Sequence, residues 1–125
     1  MNIINVNDKM KLYVEFFFEH QIIIKMFHFQ TTQYGAHKAS DEYLQKFLNN
    51  HDKFMEVAQG VYGKLELENI KLDIDLHKNN ITTHLDIFIK FLNLINKIEK
   101  NSGLLTIKDE MLNDVNQFKY LLLFK

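Results

Sequence analysis

Five side chains between His28 and Glu56 have the residue types and the spacing of a metal site: His28, His37, Asp41, Asp52 and Glu56. On an α-helix, which turns by about 100° per residue, the last four project within roughly 100° of one another and share one face. Asp41 and Asp52 are nevertheless roughly 16 Å apart along the helix axis, farther than one metal ion or a close pair of ions can bridge. One chain therefore cannot close this site.

Two chains can close it, because the spacing is symmetric about a point between residues 46 and 47. If two copies of the helix cross antiparallel at a two-fold axis there, His37 and Asp41 of one copy meet Glu56 and Asp52 of the other. Such an interface is isologous and yields two equivalent sites in each homodimer. The residues that straddle or flank the axis are Leu44, Gln45, Leu48 and Met55.

His28 belongs to the preceding helix, and a chain reversal at residues 32–35 brings it back alongside His37. The chain contains no cysteine, so any metal must use imidazole and carboxylate ligands. Mixed nitrogen and oxygen ligands suit iron or manganese, and zinc also binds them. The sequence therefore predicts a metal site that suits iron or manganese, with zinc as another candidate.

The pattern H-x8-H-x3-D-x10-D-x3-E resembles the ferroxidase signature of the Dps family of miniferritins. The last three spacings match that family, and the first is three residues shorter. The segment QGVYG at Gln59 to Gly63 also resembles a ferritin-like group from phages and large DNA viruses. The resemblance covers about the first half of the chain. It implies a ferritin-like fold with di-iron sites between subunits, in a dimer or a larger cage. It also implies the oxidation of Fe(II) at these sites by dioxygen or hydrogen peroxide, for iron detoxification or storage.

Other interpretations of the same residues remain open. Polar residues at i and i+4 are usually the solvated face of a surface helix, and a histidine on an apolar helix is usually hydrogen-bonded in the core. The chain would then be a non-enzymatic helical oligomer, such as a virion or scaffold protein. The dipeptide His51-Asp52 is the basis of a third hypothesis, a small metal-dependent phosphohydrolase of the HD type, although His51 is better explained as a core-edge histidine.

Composition argues against several other classes. The net charge is -1 and the sequence contains no arginine, so nucleic-acid binding is not expected, and the basic tail of DNA-binding Dps proteins is absent. The apolar run from Leu12 to Phe29 carries too many charged and polar side chains for a membrane span. With no recognisable secretory signal, we expect a cytoplasmic protein, in the host cytoplasm if it is viral.

The whole chain, 1–125, is predicted to be one all-α domain, a ferritin-like four-helix bundle with a long extended crossover between helices two and three. Helix one is expected at Lys9–Thr32 with Asp8 as its cap, and it is so apolar all round that one face should meet a partner. Helix two is expected at Ala36–Gly60. The alternating segment Lys64–His77 is the extended crossover.

Helix three is expected at Ile81–Lys100, with Glu99 on its apolar stripe, and helix four is expected to begin at Thr106 in a capping box with Asp109. Neither helix carries the Glu-x-x-His pair with which larger ferritins build a site inside one bundle. His84 and Asp86 face different directions and are given no role. The four glycines should mark helix ends: Gly35, Gly60, Gly63 and Gly103.

Overall fold

The computed structural model describes residues 5–75 and 80–124, and these residues form four α-helices. The helices are α1 (Val6–Gln30), α2 (Tyr34–Tyr62), α3 (Ile81–Ile98) and α4 (Ser102–Leu121). Within the described ranges there is no β-strand. The prediction of an all-α chain with four helices is confirmed.

Each helix packs against two others: α1 lies against α2 and α3, and α4 lies against the same two helices. The hydroxyl of Tyr13, near the start of α1, donates to Glu99, immediately after α3, so α1 and α3 are antiparallel. The hydroxyl of Tyr62, the last residue of α2, donates to the same carboxylate. Consequently α2 and α3 end at the same end of the bundle.

The core between the helices is rich in phenylalanine. Phe17 of α1 is fully buried. The centroid of its ring lies 5.1 Å from that of Phe54 and 5.6 Å from that of Phe91. Burial of one such side chain contributes about 1.5–3 kcal/mol. The stripe Leu85, Phe88, Leu92 and Ile95 of α3 is buried, as its helical spacing predicts.

Two predicted helix starts are wrong because asparagine side chains cap both helices. The side chain of Asn5 accepts a hydrogen bond from the backbone N–H of Asp8, so α1 begins at Val6 and Asp8 lies in its first turn. Asn101 accepts from the N–H of Leu104 in the same way. Asparagine is as good a cap as aspartate, and α4 therefore begins at Ser102, one turn before Thr106.

Only one of the four glycines ends a helix. Gly63 follows α2 with φ 103°, a backbone conformation that other residues rarely adopt. Gly35 and Gly60 lie within α2 and Gly103 lies within α4, so the prediction that they mark helix ends is wrong.

The predicted crossover at Lys64–His77 lies within the described residues as far as position 75, and it contains no helix or strand there. Positions 76 and 77 lie outside the described residues. Leu65 and Ile70 are partly buried against the core, and the N–H of Asp73 donates to Glu19 of α1 at 3.0 Å. The segment therefore runs along the outside of α1.

Candidate metal site

His28 and His37 lie side by side at the connection between the end of α1 and the start of α2. The three residues between these helices, 31–33, reverse the chain. The two imidazole rings are stacked with their centroids 3.9 Å apart and their planes inclined by 18°. The prediction that His28 returns alongside His37 is confirmed.

Each of these histidines is hydrogen-bonded to the backbone of the other. The Nδ1 of His28 lies 2.9 Å from the carbonyl oxygen of His37, and the Nδ1 of His37 lies 2.9 Å from the carbonyl oxygen of His28. A carbonyl oxygen only accepts, so both rings carry a proton on Nδ1. In the neutral imidazole this leaves a lone pair on Nε2, which is the atom and the protonation state that a metal ion requires.

Ser40 reinforces this pairing from inside α2. Its side chain is fully buried, its hydroxyl donates to the carbonyl oxygen of His37 at 2.9 Å, and its oxygen accepts from Nδ1 of His28 at 3.0 Å. His28 is also buried, whereas His37 is exposed. The orientation of the His28 ring is thus determined by two acceptors that are themselves fixed by a helix.

The three carboxylates lie along the outer face of α2. Asp41 is half-buried, and Asp52 and Glu56 are exposed. Among residues 5–75 and 80–124 none of these three forms a hydrogen bond or an ion pair. Carboxylates of this kind are ligands that divalent cations accept, and the proposal below uses them in that way.

Asp52 and Glu56 border a groove of about 520 Å³ between α1, the second half of α2 and the first residues of the crossover. Most of the groove lining is apolar. Besides the two carboxylates, the polar side chains of the lining carry amide or imidazole groups. The apolar lining is Val14, Phe18, Leu48, Met55, Leu65 and Leu67, and the other polar lining is Gln21, His51 and Gln59.

The described part of the chain holds no group of three or more metal-ligating side chains close enough to bind one ion. His28 and His37 are near the start of α2, and Asp52 and Glu56 are in its second half.

His51 does not share the outward direction of Asp52. It is buried, its ring lies 5.2 Å from that of Phe17, and its Nδ1 donates to the amide oxygen of Gln21 at 3.3 Å. Burial lowers the pKa of His51, which keeps the ring neutral. The core-edge interpretation is confirmed, and the His51-Asp52 dipeptide does not bring two ligands together.

A buried chain of hydrogen bonds links three helices and was not foreseen from the sequence. Nδ1 of His20 lies 2.8 Å from Nε2 of His84, and Nε2 of His20 lies 2.6 Å from the hydroxyl of Tyr43. The chain is satisfied when Tyr43 donates to His20 and His20 donates to His84. Burial lowers the pKa of His20 well below its usual value and that of His84 to about 4, so both rings are neutral.

Glu99 is the centre of a second buried polar cluster, at the opposite end of the bundle from His28 and His37. It accepts from the hydroxyl of Tyr13 at 2.6 Å and from that of Tyr62, and Lys9 lies 3.3 Å away. Burial alone would raise the pKa of Glu99. The hydrogen bonds from both tyrosines and from the N–H of Asn101, together with Lys9, lower it instead. Helical spacing places Glu99 on the apolar stripe of helix three, and that position did not predict its tyrosine and lysine partners.

The fold and the paired imidazoles define an all-helical protein with a candidate metal-binding face on α2. Residues 28–122 match the model of a family described as a family of unknown function, DUF5856, and the chain belongs to that family. All five predicted ligands lie in the matched region. No curated protein and no solved structure matches the chain. In the described part of the chain, no helix is long and apolar enough to cross a membrane.

Proposed function

We propose that this protein is a Dps-like ferroxidase that binds Fe(II) between two copies of the chain and oxidises it with dioxygen or hydrogen peroxide. The observation that carries the proposal is the reciprocal pairing of His28 and His37, in which each Nδ1 is bound to a carbonyl oxygen. A histidine that ligates a metal usually donates its other ring nitrogen in this way, which fixes both tautomer and orientation.

The remaining ligands come from the carboxylates of the same helix face. An antiparallel pair of α2 helices places Asp52 and Glu56 of one protomer beside His37 and Asp41 of its partner. Carboxylates are hard anionic donors that stabilise Fe(III) more than Fe(II), which favours loss of an electron from the bound iron. Neutral imidazoles complete the coordination without added charge. Glu56 is our choice for a bridge between two ions, and manganese or zinc would bind the same ligands.

The arrangement of the helices supports a ferritin-like topology. Since α2 and α3 end at the same end of the bundle, the chain between Tyr62 and Ile81 has to return along the bundle, as the long crossover of that topology does. Inside the bundle, where larger ferritins hold their metals, the structure has the hydrogen-bonded chain of Tyr43, His20 and His84. An intersubunit site on the outer face of α2 is compatible with both features.

The direct test is iron oxidation by variants with one carboxylate neutralised. We expect Glu56→Gln and Asp52→Asn each to abolish rapid Fe(II) oxidation and to leave the fold intact, because both side chains are exposed and lie outside the core. The measurement is Fe(III) absorbance after anaerobic loading with Fe(II) and exposure to dioxygen or hydrogen peroxide. Asp86→Asn is the matched control, an acidic residue that pairs with Lys119 on another surface. Oxidation that continues undiminished in Glu56→Gln and Asp52→Asn would reject the site.

A further inference from the structure

Tyr34, the first residue of α2, is a large aromatic side chain left in solvent. It is 77% exposed, and its ring takes part in no aromatic contact with the described residues. Its direction on the helix falls within the sector of His37, Asp41, Asp52 and Glu56, at about 100° per residue. Tyr34 therefore lies on the same face as the proposed ligands, one turn before His37.

The symmetric spacing of that face gives Tyr34 a definite counterpart. When two α2 helices cross antiparallel between residues 46 and 47, residue 34 of one copy lies opposite residue 59 of the other. Gln59 is part of the lining of the groove beside Asp52 and Glu56. An exposed aromatic ring on one copy thus faces a largely apolar groove on the other.

The side chain of Gln59 links two walls of the groove. The amide nitrogen of Gln59 donates to the carbonyl oxygen of Met55 at 3.2 Å, and its amide oxygen accepts from the N–H of Leu65 at 3.2 Å. The first bond lies within α2 and orients the amide of Gln59, and the second connects α2 to the start of the crossover, where Leu65 and Leu67 line the groove. Leu67 is 55% exposed, so the groove has apolar surface that is not covered within one chain.

We infer that the ring of Tyr34 of one protomer inserts into this groove of its partner and closes the outer side of the metal site. The inference rests on the antiparallel pairing in the proposed function. Residue 34 is roughly 19 Å from the crossing point along the helix axis. Helices whose axes are about 9 Å apart where they cross, at about 20°, are about 11 Å apart at that distance, a separation that a tyrosine side chain can span.

Tyr34 of a second copy is favoured over an unrelated ligand as the occupant of the groove. The antiparallel pairing that brings the ligand residues together also brings Tyr34 opposite the groove. Tyrosine is the kind of rigid, amphipathic residue that serves as an anchor in a pocket of a protein interface. Insertion would bury the exposed surfaces of Tyr34 and Leu67 together. It would also exclude water from Asp52 and Glu56, which strengthens their attraction for a cation.

Photochemical cross-linking tests the contact without removal of the aromatic group. Benzoylphenylalanine replaces Tyr34 in unlabelled chains, which are refolded with nitrogen-15-labelled wild-type chains and irradiated without metal. Trypsin releases the part of the groove around Gln59 as two peptides, 54–64 and 65–71. We expect cross-links from position 34 to labelled copies of these peptides. Benzoylphenylalanine at Tyr120, which is 58% exposed on α4, is the control and should give none.

The dimer dissociation constant gives the second readout, measured by analytical ultracentrifugation without metal. We expect Tyr34→Ala to raise it roughly hundredfold, since each dimer loses two anchors worth about tenfold each. Tyr34→Phe should stay within a few-fold of wild type, and Tyr120→Ala should not change it. A wild-type chain that remains monomeric, a dissociation constant unaffected by Tyr34→Ala, or cross-links confined to one chain or to other peptides would each overturn the inference.

The same experiments separate this inference from the proposed ferroxidase activity. Cross-links to the groove in a protein that does not oxidise Fe(II) would retain the contact and reject the activity. Iron oxidation that depends on Glu56, together with cross-links elsewhere, would retain the activity and reject the contact.

Discussion

The polar groups of this protein differ sharply between the bundle interior and the outer face of α2. Inside, His20 and Glu99 are almost wholly buried, and each is satisfied by partners on other helices. Outside, Asp41, Asp52 and Glu56 have no hydrogen-bonding or ion-pair partner among the described residues. The first set costs free energy to bury and is offset by its own hydrogen bonds. The second set forms no such bonds within the described part of the chain, and our proposal assigns it a function between two chains.

The histidines show the same difference. His20, His51 and His84 are held neutral by burial in the core, and the rings of His20 and His84 use each other as partners. At the pair His28 and His37, each Nδ1 is bound to a carbonyl oxygen, and Nε2 is left without a bond to the described chain. The ring nitrogens of His20 are thus both used inside the core, whereas the pair at the start of α2 keeps one ring nitrogen of each histidine for the ligand that we propose.

The largest expected effect is complementation between two inactive variants, which tests whether the outer face works between chains. One variant carries His37→Ala with Asp41→Ala, and the other carries Asp52→Ala with Glu56→Ala. Each should be inactive alone, because every site in its homodimer lacks two ligands. In the heterodimer both pairs of substitutions fall in one site, and the other site is complete.

Random co-refolding of equal amounts makes half of the dimers heterodimers, so Fe(II) oxidation should return to roughly a quarter of wild type if the sites act independently. Native mass spectrometry counts the heterodimers, and Fe(III) absorbance measures the oxidation. Heterodimers present in the expected proportion but without activity would reject a site shared between chains.

The second effect concerns the interior and is a loss of stability in acid. The folded-state pKa of His84, about 4, lies below the unfolded value of about 6.5, so the folded state binds fewer protons. The full stability is therefore present above about pH 6.5 and is lost as the pH falls, by up to about 1.4 kcal/mol per pH unit for each such histidine. His20 and His51 act in the same direction.

Urea unfolding between pH 7.5 and pH 5 measures this slope. His84→Gln keeps a hydrogen-bonding side chain but does not titrate, and it should reduce the slope by about one histidine's share, up to about 1.4 kcal/mol per pH unit. A free energy of unfolding that stays constant from pH 7 to pH 5 would contradict the assignment of buried neutral histidines.

The sequence predicts the outer face of α2, whose residues are close together in the chain, better than the buried polar groups, whose partners lie on other helices. The stacking of His28 on His37 follows from their separation and one turn, and the outward face of α2 follows from helical periodicity. The partners of His20 could not be found in this way, because Tyr43 and His84 lie on two other helices and no local pattern connects them. The start of α1 lies three residues before the expected Lys9, because the side chain of Asn5 caps the helix by accepting from the backbone N–H of Asp8.

The smallest expected effect is a change in metal affinity in Ser40→Ala. Ser40 is buried and forms hydrogen bonds to the His28 ring and to the carbonyl oxygen of His37. In Ser40→Ala the Nδ1 of His28 keeps the carbonyl oxygen of His37 as its acceptor but loses the hydroxyl at 3.0 Å, so the ring should be less well oriented. Loss of such an outer-shell partner typically weakens metal binding 10- to 100-fold, and the retained acceptor favours the lower value, about tenfold.

Titration calorimetry with Co(II), which is stable in air and accepts the same ligands, measures this change in affinity. Thr106→Ala is the matched control, because the Thr106 hydroxyl also donates to a carbonyl oxygen within a helix, that of Ser102 at 2.9 Å, but lies on α4 outside the proposed ligand set. Urea unfolding of both variants separates positioning from stability. If Ser40→Ala lowers the free energy of unfolding and leaves Co(II) affinity unchanged, Ser40 supports the fold of the α1–α2 turn and does not position the histidines for a metal.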